Sequence, residues 1–378
     1  MDILVAPDSF KGSLTARQVA EAMKKGILKA RPDAGVKLVP MADGGEGTMT
    51  SLVEATDGSM CEVEVEDSLG RKITAEYGIT GDGRTAVIEL ASASGLDKLS
   101  KNELDPRVAS TYGTGQLMVH ALERGLDNFI ICLGGSATND GGSGILRALG
   151  FRFRDAEGRE LEPGGLSLQN LHTIDTDNVD PRIREASFQV ACDVTNPLIG
   201  PEGASAVFGP QKGANPETVR QLDEALLVYA DCIKRETGLP IHHYPGAGAA
   251  GGTAAGLFAL LNAELKQGIR LVMEAVHFEE TLQSGHYDLL LTGEGKIDGQ
   301  TASGKVVAGL AEVAKTHKIP VVALGGAVEG DLEPLYQKGL TAAFSITDGP
   351  MSLEDAMNNG EWLTEKQAEQ VLRLLGIS

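Results

Sequence analysis

Glycine in this chain gathers into eight polar clusters: PDSFKGSLTA, ADGGEGT, STYGTGQ, GGSATNDGGSG, ACDVTNPLIGPEGA, VFGPQKGA, PGAGAAGGT and TGEGKIDGQTASGK. Five of them follow a short apolar run or precede a helical pattern. Such a chain must alternate buried strands with helices and turn between them on loops of small, donor-rich residues. With 48 glycines in 378 residues, about 13%, usage is roughly twice the ordinary 7%. A hydrophobic fraction of 42%, a charged fraction of 23% and only 15 prolines exclude disorder as the reason, since a large core can be buried.

The periodicity predicts the elements around these loops. ILVAP is a first strand, and residues 15–30 form an amphipathic helix whose Thr15 and Gln18 have capping-box spacing. VKLVP (36–40) is a second strand, followed by ADGGEGT and a helix over about 48–55. Near the other end YDLLL (287–291) leads through a glycine-rich loop to a helix ending near Lys315. PVVAL (320–324), a helix near Leu332, AAFSI (342–346) and a last helix from about Leu363 complete the alternation. Short continuous apolar strands between helices indicate a parallel sheet covered on both faces. The middle differs: CEVEVEDSLGRKITAEYGI alternates about a turn as an antiparallel hairpin does, and FRFRDAEGREL does so again. The expected architecture is α/β and discontinuous. Residues 1–60 and 285–378 build a Rossmann-like, doubly wound parallel-sheet domain; residues 61–284 form an inserted mixed α/β domain, with the active site expected in the cleft between them.

Charge and cysteine content narrow the function. Lys and Arg number 33 against 53 Asp and Glu, a net charge of −20, which argues against nucleic acid and anionic membranes as partners. The four cysteines are far apart with no CxxC, so neither zinc nor a disulfide framework is indicated. A reducing, cytoplasmic setting fits best. No apolar stretch reaches membrane-spanning length, and MDILVAPDSF lacks the basic start of a secretion signal.

Two strings approach standard nucleotide signatures without meeting them. GQTASGKV (299–306) matches GxxxxGK, but Val306 stands where a P-loop needs a hydroxyl for magnesium, and GEGKID separates it from the preceding strand. GAGAAG (246–251) fits GxGxxG but follows HHYP rather than a strand, so close helix packing is the plainer reading. The loops nevertheless offer the groups phosphoryl transfer needs: carboxylates to hold a metal, cations for the moving phosphate, and a residue to orient or deprotonate the acceptor hydroxyl. Asp8 and Lys11 follow the first strand, Asp43 and Glu46 the second. Asn139 and Asp140 lie in GGSATNDGG, Asp193 and Asn196 in ACDVTNP, and Glu294, Lys296 and Asp298 in TGEGKID. Lys11, Lys212, Lys296 and Lys305 are the lysines inside glycine loops, suited to a small carboxylate or phosphate. Cys192, beside Asp193, has no evident histidine partner and reads as packing. The single tryptophan and nine phenylalanines are too scattered to stack bases.

APDSFKGSLTA, ADGGEGT, STYGTGQL, GGSATNDGGSGIL, ACDVTNPL, FGPQKGA and GEGKIDGQTASGK, in that order, resemble the bacterial glycerate kinases that phosphorylate D-glycerate from glucarate and glyoxylate metabolism. The resemblance covers nearly the whole chain, and no motif departs from it. It implies ATP- and Mg2+-dependent transfer of the γ-phosphoryl group to a glycerate hydroxyl on a two-domain α/β fold, with 2-phosphoglycerate favoured over 3-phosphoglycerate, in a monomer or homodimer. Under that reading Asp193 orients or deprotonates the hydroxyl, while Lys11 with Ser9 meets the substrate carboxylate or the moving phosphate, joined at the substrate by Asn196 and Lys212. Asp43 and Glu46 hold magnesium. Gly134, Gly135, Ser136, Asn139, Asp140 and Gly293 serve the nucleotide phosphates, with Lys296 and Lys305 neutralising charge. A hydroxy-acid dehydrogenase and a non-catalytic sugar-acid sensor are the alternative classes. The first lacks a proper dinucleotide loop and the second an output domain.

Overall fold

Two sheets, each with parallel strands at its centre, organise the chain in a computed structural model that describes residues 1–299, 301–302 and 304–376. In chain order the strands are β1 (Asp2–Val5), β2 (Gly35–Leu38), β3 (Ser59–Glu66), β4 (Lys72–Ile79), β5 (Thr85–Glu89), β6 (Asn128–Cys132), β7 (Arg152–Arg154), β8 (Thr173–Asp175), β9 (Ser187–Ala191), β10 (Glu264–Lys266), β11 (Leu289–Ile297), β12 (Val321–Val328) and β13 (Leu340–Ser345). The chain divides into two compact units: Met1–Asp43, Thr50–Asp57 and Gln267–Ser378 form the first, Gly44–Met49 and Gly58–Lys266 the second.

The first unit is a five-stranded parallel sheet in the order β13-β12-β11-β1-β2. On one face Ile3, Val5, Leu289, Leu291, Val322 and Leu324 pack under helices Ala16–Ala30 and Gly360–Leu375. Helix Val306–Thr316 packs against β11, β12 and β13. The first helix starts as its sequence requires: the Thr15 hydroxyl accepts from the Gln18 N–H at 3.2 Å, and the Gln18 side chain accepts from the Thr15 N–H at 2.9 Å.

Two expectations change here. TGEGKI is the second half of β11 rather than a loop, with Glu294 opposite Gly325 and Lys296 opposite Ala327 of β12. Glycine permits this, because a Cβ on Gly293 would stand 2.3 Å from the Leu324 carbonyl oxygen. Residues 267–284 also fall in the first unit, not in the insert, since Ile269 of helix Gly268–Ala275 packs against Gly309 of helix Val306–Thr316.

The second unit carries a six-stranded sheet, β10-β9-β6-β5-β4-β3, parallel from β10 to β5 and antiparallel beyond. β3 and β4 are the expected hairpin. FRFRDAEGREL differs: β7 pairs with β8 instead of with its own return, which supplies only a single bridge between Arg154 and Glu160. The apolar faces of β5, β6 and β9 build the core, and Phe129 stacks on Phe188 at 5.1 Å between ring centroids.

Candidate functional site

In both sheets the polar loops leave the carboxyl ends of parallel strands, where α/β proteins bind ligands. In the first unit that edge holds Asp8 after β1, Asp43 after β2 and Glu294 on β11. Backbone and hydroxyl bonds fix the approach. The Asp8 N–H donates to the Gly293 carbonyl at 2.8 Å, and the buried Thr292 hydroxyl donates to the Ala6 carbonyl at 2.8 Å. The Ser9 N–H donates to Asp8 Oδ1 at 2.6 Å, while the wholly buried Thr301 hydroxyl donates to Glu294 Oε1 at 2.6 Å.

The three carboxylates repel one another. Burial, then the charges of Asp43 and Glu294, push Asp8 up to about 8 against the opposing Ser9 bonds. Burial, with Asp43 and Asp298, pushes Glu294 up to about 7 against the Thr301 hydroxyl and the Lys305 ammonium. A bound cation would relieve both. Among the described residues no group of three or more His, Cys, Asp or Glu suffices to hold a metal alone. Mg2+ does not require one, because it commonly takes one or two carboxylates and completes its octahedron with phosphate oxygens and water.

The lysines expected at this edge divide. Lys305 caps helix Val306–Thr316 and acts electrostatically on Glu294. Lys296 pairs with Glu329 at 3.1 Å and Asp298 at 3.4 Å in a surface network, more than half exposed. Lys11 is exposed on the loop after β1, beside half-buried Ser9. Gln300 and Ser303 of the GQTASGK string lie outside the described residues.

In the second unit Glu89, Cys132, Ala191 and Lys266 form one register row across β5, β6, β9 and β10, and the loops beyond that row carry the remaining motifs. Loop 134–140 follows β6 and has two halves: Gly134 and Gly135 are exposed, while Ser136 to Asp140 are buried. The Asp140 carboxylate, wholly enclosed, accepts from the Thr111 N–H and hydroxyl, both at 2.9 Å, and from the N–H groups of Gly142 and Gly144, both at 3.1 Å. Asn139 donates to the Ser205 hydroxyl at 3.0 Å. These two side chains, expected on the nucleotide, therefore face inward and shape the loop. Lys212, expected on the substrate, is also buried, donating to the Ser136 hydroxyl at 2.8 Å and the Thr138 carbonyl at 2.6 Å.

PGAGAAGGT supports the same loop. Helix Ala249–Leu260 begins with left-handed Ala250, Gly251 and Gly252, and a Cβ on Gly251 would lie 2.2 Å from the Thr138 carbonyl oxygen. Asp193 is exposed just beyond β9. Asn196 is held aside, its side chain donating to the Glu202 carbonyl at 2.8 Å. Cys192 is half-buried, and burial pushes its thiol above the usual range, against a nucleophilic role.

Asp43 and Glu46 keep different company. Asp43 acts on Asp8 and Glu294, whereas exposed Glu46 acts on Glu89, whose carboxylate accepts from the Met49 N–H at 3.0 Å and from the Gly47 and Thr48 N–H groups. Sequence reasoning missed Glu89. The signal was an acidic residue closing the apolar run TAVIE at the end of its strand, level with Ala191 of β9. Thr111 and Thr301 were missed as well, being ordinary loop threonines until their partners are known.

The glycerate kinase family model matches residues 3–376. This chain belongs to the glycerate kinase family. It is thus a kinase, and its relatives span its full length. It is 47% identical over 98% of its length to a glycerate kinase of Halalkalibacterium halodurans, covering 97% of that protein. It is 47% identical over 94% of its length to the glycerate 2-kinase of Escherichia coli K12, covering 93% of that one. The crystal structure of a candidate glycerate kinase 2 from Salmonella typhimurium LT2 superposes with a TM-score of 0.91 at 46% identity, covering 99% of this chain and 98% of that one. The family's two-domain α/β architecture is the one described above, and no helix among the described residues is long and apolar enough to cross a membrane.

Proposed function

We propose that this kinase transfers the γ-phosphoryl group of ATP to a hydroxyl of D-glycerate, with Mg2+, and that 2-phosphoglycerate is the product. The whole-chain family match carries the reading, and the name of the E. coli relative supports the 2-position. The donor sets agree with it. Hard oxygen donors at Asp8, Asp43 and Glu294 suit magnesium, which when bound would neutralise charge on the nucleotide phosphates.

The chain's own groups supply the rest. Exposed Asp193 accepts or orients the proton of the glycerate hydroxyl. Lys11 and Ser9 meet the carboxylate of the substrate or the moving phosphate. The exposed Gly134 and Gly135 backbone lets phosphate oxygens come close, and Lys305 adds positive charge beside Glu294. The four free cysteines support work in a reducing compartment, the cytoplasm. The test is ADP release followed by a coupled assay. It should require D-glycerate, ATP and Mg2+ together; ADP formation indifferent to glycerate and to other sugar acids would remove the proposal.

A further inference from the structure

We infer that Lys212 is a positioning residue for the nucleotide: its ammonium, sealed beneath loop 134–140, holds that loop in the shape that receives the phosphates of a nucleoside triphosphate. The inference rests on the kinase reading above. Its observations are local to the second unit. Lys212 is 1% exposed, so it cannot itself touch a ligand arriving from solvent. Its two bonds go to the buried half of the loop, at the Ser136 hydroxyl and the Thr138 carbonyl, which leaves Gly134 and Gly135 as the open half.

The motif VFGPQKGA places this group through a tight turn. The Lys212 N–H closes a turn on the Gly209 carbonyl at 2.9 Å. Gly213 then adopts a left-handed φ of 97° where a Cβ would meet the Leu104 carbonyl oxygen at 2.5 Å. Two residues ahead of the motif, the Ser205 hydroxyl anchors the loop a second time by accepting from the Asn139 side chain. An ammonium taken out of water without a contacting carboxylate is a costly way to hold a loop, because its hydrogen-bond acceptors are neutral. The cation returns that cost when a polyanion settles above it in a medium of low dielectric, where the attraction is little screened.

The charged groups around it are few. Asp140 acts on Lys212 through space, and Arg147 and Tyr229 act on Asp140 in turn, with Tyr229 neutral because burial pushes its hydroxyl well above the usual range. Burial outweighs Asp140 and pushes Lys212 down to about 7, so the cation is lost as pH rises through neutrality.

Calorimetric binding of ATP with Mg2+, without glycerate, tests this on wild type, Lys212→Met, Ser136→Ala and the double variant. At pH 6.5 Lys212→Met should weaken binding about tenfold or more, the size of a lost charge-assisted bond, with KM for glycerate little changed. The gap should close toward pH 9, as the wild type loses its proton. Ser136→Ala should weaken binding less, and the double variant should be no worse than Lys212→Met. Equal affinity in wild type and Lys212→Met, a gap constant from pH 6.5 to 9, or an equal loss of glycerate affinity would overturn the inference. If Lys212→Met does not fold, judged by circular dichroism, Ser136→Ala decides, and unchanged affinity there overturns it. Wild type that makes phosphoglycerate while the variants bind ATP normally refutes the role of Lys212 alone. Wild type that neither binds ATP nor turns over refutes the kinase reading and, with it, this inference.

Discussion

The two sheets bring polar groups to the same kind of edge and treat them in opposite ways. In the first unit burial, and then the like charges of Asp8, Asp43 and Glu294 on one edge, keep protons on Asp8 and Glu294 toward neutrality. In the second unit three buried or half-buried charges are answered from within: Asp140 by four donors, Glu89 by three backbone N–H groups, Lys212 by a hydroxyl and a carbonyl. An acidic edge of this kind would be relieved by a cation, which the proposed Mg2+ would supply. Loop 134–140 is braced by Lys212, Ser205 and Thr111 from its buried side, with its two glycines left exposed. The pair of strategies matches a reaction whose co-substrate is a metal-bound polyphosphate.

Asp193 stands out from the satisfied edge because it is exposed. Asp193→Asn should lower kcat by about 10²–10⁴, the range of a lost general base, with ATP affinity nearly intact. A variant with normal turnover would remove Asp193 from the chemistry and leave the second unit only a scaffold. Gly251→Ala should break that scaffold. It forces a Cβ to 2.2 Å from the Thr138 carbonyl at a left-handed position, so a loss of about 2–4 kcal/mol in urea unfolding and weaker ATP binding are expected.

The strained edge makes a claim about pH. An unfolded aspartate loses its proton near 3.8, and folded Asp8 keeps it to about 8. Between those values the native state binds more protons than the unfolded one, so Asp8 is a source of stability at low pH that fades as pH rises through the window. Without metal, the melting temperature of wild type minus that of Asp8→Asn should therefore fall from pH 5 to pH 8. Mg2+ with nucleotide should raise it again most at pH 8. A difference independent of pH would mean that neither burial nor the neighbouring carboxylates hold the proton on Asp8. The smallest effect belongs to Lys296, already held by Glu329 and Asp298 at the surface. Lys296→Ala should leave the urea unfolding midpoint nearly unchanged and change KM for ATP by less than about twofold, and a larger rise in KM would return it to the nucleotide.

Strands and helices were largely legible, since their signals are local. The capping box at Thr15 and Gln18 and the alternation of β3 and β4 are written in neighbouring residues. Past Leu291 β11 reads as a loop, because its glycines resemble one until β12, with its own glycines, is set beside it. The site was legible in its members but not in their roles. Asp140, Asn139 and Lys212 are polar residues in glycine loops, just as Asp8 and Asp193 are. Only the positions of Thr111, Ser205 and Ser136, distant in sequence, show that the first three turn inward. GAGAAG fits a nucleotide loop by spacing, but its HHYP context favours close packing, and Gly251 does pack on the Thr138 carbonyl.

Phosphorus NMR of the reaction mixture tests the central claim most directly. With wild type, D-glycerate, ATP and Mg2+, new ADP signals should appear together with a single phosphomonoester whose coupling and chemical shift match authentic 2-phosphoglycerate. Both should vanish when Mg2+ is chelated. A 3-phosphoglycerate signal would contradict the assigned position, and an unchanged ATP spectrum across glycerate and related sugar acids would contradict the account itself.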